Sequence, residues 1–132
     1  MKSFGLILLI FCLVPVSVSY AIDDDNPDHV AIEALLEQRI EATNNADIPL
    51  FESIYVEDSA DVQWFRENAA DRHAQGVKQC CLNIYEITVT GDEAYARFSV
   101  KGKKSGGSYK KHKAEALFVK VNGEWKIDST SW

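Results

Sequence analysis

The sequence has little cysteine and no long apolar run beyond its first two dozen residues. Only 3 of its 132 residues are cysteines, and Cys80 and Cys81 are adjacent, which excludes a disulfide-stapled miniprotein and a CxxC motif. The other potential metal ligands, His29, His73 and His112, are far apart in the chain and have no ligand spacing. We therefore expect no metal, no cofactor, and a fold stabilised by one hydrophobic core.

Basic residues are fewer than acidic ones, 14 against 20, so the chain carries a formal net charge of −6. A protein this acidic does not attract nucleic acid through its overall charge, so we expect no nucleic-acid partner. Four of the 20 acidic residues lie within residues 22–28. These acids are contiguous and lack the glycine and the distal glutamate of a calcium-binding loop. We therefore interpret residues 22–28 as a solvated acidic leader.

Residues 1–21 have the pattern of a secretory signal peptide. One lysine precedes an apolar stretch over residues 4–18, and Ser19 and Ala21 place small side chains where a signal peptidase cleaves. The stretch is shorter than the roughly 20 residues that a membrane-spanning helix needs. We expect cleavage after Ala21, or else after Ser19, and a secreted or periplasmic protein without a membrane segment once it is cleaved.

The next part of the chain predicts three helices. Asp28 is expected to cap a helix that ends near residue 45 and has apolar residues on one face at helical spacing: Ile32, Leu35, Leu36, Ile40 and Thr43. Asp47 is expected to cap a shorter second helix. A third helix is predicted over residues 61–74 with Gly76 at its end, although residues 62–65 also fit a short strand.

The rest of the chain predicts a run of antiparallel strands over residues 80–90, 94–100, 109–121 and 124–132. The phase of the apolar residues shifts within the first of them, which indicates a β-bulge or a strand buried on both faces. Asn122-Gly123 is a strong hairpin signal. Helices followed by antiparallel strands define an α+β fold, here one domain over residues 29–132.

This order of elements resembles the nuclear transport factor 2-like superfamily. The features that carry the resemblance are the break at residues 44–47, the alternating strand at 94–100 and the final "LFVKVNGEWKID". The resemblance covers nearly all of the chain after residue 21 and implies helices packed on a strongly bent antiparallel sheet, a cystatin-like cone. The superfamily includes isomerases, dehydratases, cyclases, ligand-binding domains and transport adaptors, so this fold does not define a function.

The resemblance also directs attention to polar groups that could enter the cone. Enzymes of the superfamily use a carboxylate or histidine there as a base, often with a tyrosine beside it. The weak catalytic candidates in this chain match no catalytic motif; they are Tyr55, Asp61, His73 and Asp128. A ligand held in the cone is expected to contact Tyr55, Trp64, Phe98 and Phe118.

Two further features concern partners. A lysine-rich hairpin either keeps a sheet edge from pairing with other chains or binds an acidic partner; its main residues are Lys103, Lys104, Lys110 and Lys111. Cys80 and Cys81 are expected to point to opposite faces of their strand, which leaves one buried and one exposed thiol or a disulfide between two chains. A partly apolar outer sheet face would fit a homodimer.

Together these patterns favour an exported binding domain that catalyses no reaction. It would hold a small apolar ligand in the cone or a protein partner on the sheet. Two alternatives stay open, a small isomerase-, dehydratase- or cyclase-like enzyme and a secreted inhibitor or immunity-type protein. A buried acid or histidine facing the cone would favour the enzyme.

Overall fold

The computed structural model describes residues 17–19 and 23–132. Three helices pack on an antiparallel sheet whose strands follow one another in chain order. The helices are α1 (Pro27–Asn45), α2 (Ile48–Ile54) and α3 (Ala60–Ala74). The strands are β1 (Ser17–Ser19), β2 (Lys78–Thr90), β3 (Glu93–Lys103), β4 (Lys110–Val121) and β5 (Glu124–Ser131). This architecture confirms the predicted α+β fold.

The predicted signal peptide lies outside the described residues except for β1. That short strand pairs with residues 87–89 of β2 at one edge of the sheet. Cleavage after Ala21 stays a prediction. None of the helices within the described ranges is long and apolar enough to cross a membrane.

The helix N-termini differ in detail from the sequence prediction. The first helix begins at Pro27, inside the predicted leader, and its cap is Asn26, whose side chain accepts the backbone N–H of Asp28 at 2.9 Å. Asp28 instead accepts the Trp125 indole N–H at 2.9 Å and so fastens α1 to β5. The third helix is capped by Ser59 rather than Asp61. In both helices the capping oxygen belongs to the residue two positions before the aspartate that was predicted as the cap. The side chain of that aspartate is therefore free to make a tertiary contact.

The core lies between the helices and the concave face of the sheet. Alternate residues of β3 and β4 are buried on that face: Ala94, Ala96, Phe98, Val100, Ala114, Ala116 and Phe118. The helices cover them with Ile32, Leu36, Phe51, Ile54 and Phe65. Register shifts in β2, between Cys80 and Asn83 and between Ile84 and Glu86, confirm the predicted irregularity and let the sheet bend around this core.

Two turns fix the ends of the sheet. Asn122 and Gly123 both have positive φ, 54° and 82°, as the predicted two-residue hairpin requires. Gly76, just after α3, has φ of 72°. The backbone N–H of Ser105, in the β3–β4 loop, donates to the carbonyl of Gln75 at 3.0 Å. The end of α3 is thereby joined to the tip of the β3–β4 hairpin.

The adjacent cysteines do not point to opposite faces as expected. Their sulfurs are joined in a disulfide within the chain. Cys81 has φ of 66° and lies in the first bulge of β2, so the alternation of a regular strand does not apply there. A disulfide between two chains would require Cys80 or Cys81 to bond to a cysteine of a second chain instead, and it stays a prediction.

Candidate functional site

A cavity of about 700 Å³ opens between α1, α3 and the β3–β4 hairpin. Its apolar wall consists of Trp64, Phe65, Val77 and Trp132. Its polar and basic lining comes from Arg39, Thr43, Arg72, Gln79, Lys103, Lys104, Ser108, Lys110 and His112. Cavities of about 300 to 1,000 Å³ accommodate small organic ligands, so this one is large enough for such a molecule.

Strand alternation explains why the hairpin contributes basic groups to the cavity. Val100 pairs with His112 and Gly102 with Lys110. Val100 faces the core, so its partner His112 lies on the same concave side of the sheet. Gly102 and Lys110 lie on that side too, two residues closer to the hairpin loop. The sequence placed His112 at the surface among lysines; it is exposed, yet its ring lies at the cavity.

Arg39 reaches the cavity because it belongs to the buried stripe of α1. That stripe repeats every three or four residues and consists of His29, Ile32, Leu36, Arg39 and Thr43. The sequence prediction instead placed Leu35 and Ile40 in the stripe and Arg39 on the polar side. The spacing from Leu36 to Arg39 to Thr43 is the signal that could have identified Arg39 as buried.

Arg72 reaches the same cavity from α3. Val62, Phe65 and Ala69 are the buried residues of this helix. Arg72 continues their stripe three residues after Ala69 and is half-buried. Arg72 was not identified as a site residue from the sequence.

The buried environment of Arg39 is aromatic. Its Nε donates to the Tyr55 hydroxyl at 2.8 Å. Its guanidinium carbon lies 5.4 Å from the centre of the Phe51 ring and 5.1 Å from that of the Trp132 ring. These contacts hold the guanidinium plane in place while leaving its terminal nitrogens free of protein acceptors among the described residues.

Tyr55 connects Arg39 to the end of the sheet. Burial raises the pKa of its hydroxyl above the usual value, and the Arg39 guanidinium opposes that rise. Nearby, Asp61 accepts both the backbone N–H of Thr130, at 2.8 Å, and its hydroxyl, at 2.9 Å. Neither Tyr55 nor Asp61 lines the cavity. Tyr55 contacts Arg39 directly, and Asp61 joins α3 to β5 through Thr130.

The raised pKa of Tyr55 predicts a loss of stability at high pH. The folded protein retains the hydroxyl proton where the unfolded chain, with a pKa of about 10, loses it. The stabilisation is complete below pH of about 10 and is lost as the pH rises through the folded pKa. As the pH rises above about 10, the free energy of unfolding should fall less steeply in Tyr55→Phe than in the wild type. Urea titration at stepped pH measures this fall. Tyr109→Phe, at an exposed tyrosine, should keep the wild-type slope; equal slopes for all three proteins would contradict the prediction.

The other catalytic candidates lie elsewhere. His73 is exposed on α3, and Asp128 is exposed on the convex side of the sheet, where it lines a shallow second cavity of about 280 Å³ with Tyr95 and Leu117. No group of three or more metal-ligating side chains occurs within residues 17–19 and 23–132.

Of the four predicted ligand contacts, one lines the cavity and three do not. Trp64 lines the cavity and is 48% exposed. Phe98 and Phe118 are buried in the core beneath it and do not line it. Tyr55 supports Arg39 without lining the cavity itself.

The lysine-rich hairpin is divided between the two faces of the sheet. Lys103, Lys104 and Lys110 line the cavity. Lys111 lies on the opposite face, with its ammonium 5.8 Å from the centre of the Tyr85 ring. The predicted docking patch is therefore not one surface, because alternate residues of a strand point to opposite sides. Leu117, 49% exposed, is on the outer face where a homodimer would form; that dimer stays a prediction.

Gln79 lines the cavity and is held in place by Asn44. The Asn44 side chain pairs with its backbone, accepting the Gln79 N–H at 2.7 Å and donating to the Gln79 carbonyl at 2.9 Å. The Gln79 side-chain oxygen is buried with no donor among the described residues.

The fold is that of the cystatin-like, nuclear transport factor 2-like proteins. A conserved protein from Planctomyces limnophilus DSM 3776 is 19% identical with a TM-score of 0.65, covering 78% of this chain and 92% of that one. A protein of unknown function with a cystatin-like fold from Nostoc punctiforme PCC 73102 is 17% identical with a TM-score of 0.66, covering 83% and 91%. A nuclear transport factor 2-like protein of unknown function from Shewanella oneidensis MR-1 is 16% identical with a TM-score of 0.65, covering 78% and 96%. At these identities the likeness establishes the fold alone.

Within this fold, the chain belongs to the family described as "Anti-sigma-I factor RsgI9, C-terminal domain". The model of that family matches residues 34–132, which include α2, α3, four strands and all of the cavity. No curated protein sequence matches the chain.

Proposed function

We propose that this protein is an exported binding domain that holds a small organic molecule in the cavity and catalyses no reaction. The observation that carries the proposal is the 700 Å³ cavity itself. Two indole rings, Trp64 and Trp132, form part of its wall while remaining about half exposed at its mouth. Large apolar groups left open to solvent beside a cavity are typical of a ligand site.

The arrangement of acids supports binding over chemistry. A base must reach the reacting atom, so it must line the space where the substrate lies. Asp61 is occupied by Thr130, and Asp128 lies on the other side of the sheet. His112 does line the cavity, but it is exposed and is not the buried histidine that a base in the cone calls for. The family description, which is that of a domain of an anti-sigma factor, also supports a role other than catalysis.

The cavity-facing side of β3 provides the test. A Cβ built on Gly102 would lie 3.6 Å from the His112 ring, an ordinary contact distance, so a leucine side chain there enters the cavity without a backbone clash. We expect Gly102→Leu to weaken the binding of the uncharged dye phenylnaphthylamine roughly tenfold, since it removes volume from the site. Fluorescence titration of protein purified from the exported fraction measures this, and the mass of that protein shows whether residues 1–21 have been removed.

Lys101→Leu is the matched control. It adds the same side chain one residue earlier, on the outer face of β3, and should leave dye binding unchanged. Equal affinities for Gly102→Leu and Lys101→Leu would overturn the proposal.

A further inference from the structure

Arg39 is a buried cation without an acidic partner. It is 9% exposed, and its one side-chain hydrogen bond is to the neutral Tyr55 hydroxyl. No carboxylate lies within salt-bridge distance of it among the described residues, and the remaining residues, 1–16 and 20–22, contain no aspartate or glutamate. Burying a charge is costly unless it is paired, so this guanidinium lacks the counter-charge that such a position calls for.

Arg72 adds a second cation at the same place. Its guanidinium carbon lies 5.2 Å from the centre of the Trp64 ring. Burial and, second, the positive charge of Arg39 lower the pKa of Arg72 from its usual value. Arg72 also has no carboxylate partner within the described part of the chain. Two like charges therefore act on each other across the cavity with nothing between them to compensate.

The rest of the lining has the same sign. Lys103, Lys104 and Lys110 lie along the hairpin side, and no aspartate or glutamate lines the cavity. This is unusual in a chain with 20 acidic and 14 basic residues. A random selection of charged residues from this sequence would be mainly acidic, so the lining is strongly biased towards cations.

We propose that the ligand is an organic anion, with its carboxylate, phosphate or sulfonate bound between Arg39 and Arg72 and its flat apolar body against Trp64 and Trp132. The proposal rests on the proposed function and specifies the chemical class of the ligand. Guanidinium groups bind such anions through paired N–H···O bonds. An anion placed there supplies the charge that Arg39 and Arg72 lack, and the indole rings supply the apolar contact.

Two dyes with one skeleton separate the charge from the cavity. Anilinonaphthalene sulfonate carries an anionic group, and phenylnaphthylamine is the same framework without it. We expect the wild type to bind the sulfonate at least tenfold more tightly at fixed ionic strength, the usual gain from a charge-assisted hydrogen bond. Arg72→Gln should abolish most of that tenfold preference, measured as the ratio of the affinities for the two dyes.

Arg66→Gln is the matched control. Arg66 is an exposed arginine on the same helix, paired with Glu52 and outside the cavity, so its loss should not change the preference for the sulfonate. Displacement of the sulfonate dye by naphthoate and by naphthyl phosphate, but not by uncharged naphthol, would support the proposal, and the stronger of the two anions identifies the preferred group.

The outcomes distinguish this inference from the proposed function. If Gly102→Leu weakens the uncharged dye but the sulfonate has no advantage, the cavity binds ligands and the anion proposal is wrong. A preference for the sulfonate that Arg66→Gln reduces as much as Arg72→Gln does also contradicts it, since the effect is then one of overall charge. Failure of both dyes to bind overturns the proposed function and this inference with it.

Discussion

Replacing Phe51 by alanine should lower the free energy of unfolding by about 3 to 5 kcal/mol, the largest effect we expect from one substitution. Phe51 is 1% exposed. Its ring stacks on Phe65 at 3.9 Å between centroids and on Tyr55 at 4.7 Å. Alanine would leave a cavity where α1, α2 and α3 meet and would remove the ring beneath Arg39. Urea unfolding at equilibrium measures the change.

Val30→Ala is the control for Phe51→Ala. Val30 is on α1 and 45% exposed, so its truncation should change the free energy of unfolding by less than about 0.5 kcal/mol. A loss below about 1 kcal/mol for Phe51→Ala would show that the ring is not packed between these helices.

Gly76→Ala should destabilise the protein by about 2 kcal/mol or more. Gly76 has φ of 72°, and a Cβ built on it would lie 2.6 Å from the Ser105 Cβ, so the hairpin loop would have to move. The substitution therefore combines a backbone conformation unfavourable to alanine with a steric clash. Thermal and urea unfolding give the magnitude.

Gly91→Ala separates these two contributions. Gly91 has a similar φ of 61° but no atom within 4 Å of its built Cβ, so only the conformational cost of about 1 to 2 kcal/mol applies. Adding Ser105→Gly to Gly76→Ala should recover part of the steric cost, because it removes the 2.6 Å contact but leaves those with the Ser105 backbone N and Cα at 3.1 and 3.2 Å. If Gly76→Ala costs no more than Gly91→Ala, the end of α3 and the hairpin are not in close contact.

The sequence predicted the fold where a local pattern has one structural solution. Asn122-Gly123 requires two positive φ angles and forms the expected hairpin. The alternation from Ala94 to Val100 describes a strand with one buried face, and that face is buried. Asp47 caps α2 as expected, accepting the Leu50 N–H at 3.1 Å. In each case the preference of neighbouring residues determines the structure.

The candidate site was less predictable because tertiary packing creates it. Arg39 and Arg72 are 33 positions apart in the printed sequence, and no local pattern shows that α1 and α3 bring them to one cavity. Arginine in a helix is ordinarily read as solvent-exposed. The only signal in the sequence was that each arginine continues the spacing of the buried apolar residues of its helix. The prediction gave more weight to the charge of the arginines than to this spacing.

The cysteine pair failed for a different reason. The expectation for Cys80 and Cys81 assumed a regular strand, in which neighbours point to opposite faces. The apolar phase shift in the sequence lies between Ile84 and Tyr85 and matches the second register shift, whereas the first bulge falls on Cys81 and was not predicted. One left-handed residue is enough to remove the alternation on which the expectation depended.

The cationic lining of the cavity also has a kinetic consequence. The remainder of this acidic protein repels an approaching anion, whereas the cavity mouth attracts it, so the molecule acts as a funnel that orients the encounter. The association rate constant for an anionic ligand should therefore decrease as salt screens this long-range field. The residence time depends on short-range contacts with the buried Arg39 and changes much less. The five lysines and arginines of the lining thus determine how fast a ligand arrives, while Arg39 and Arg72 largely determine how long it stays.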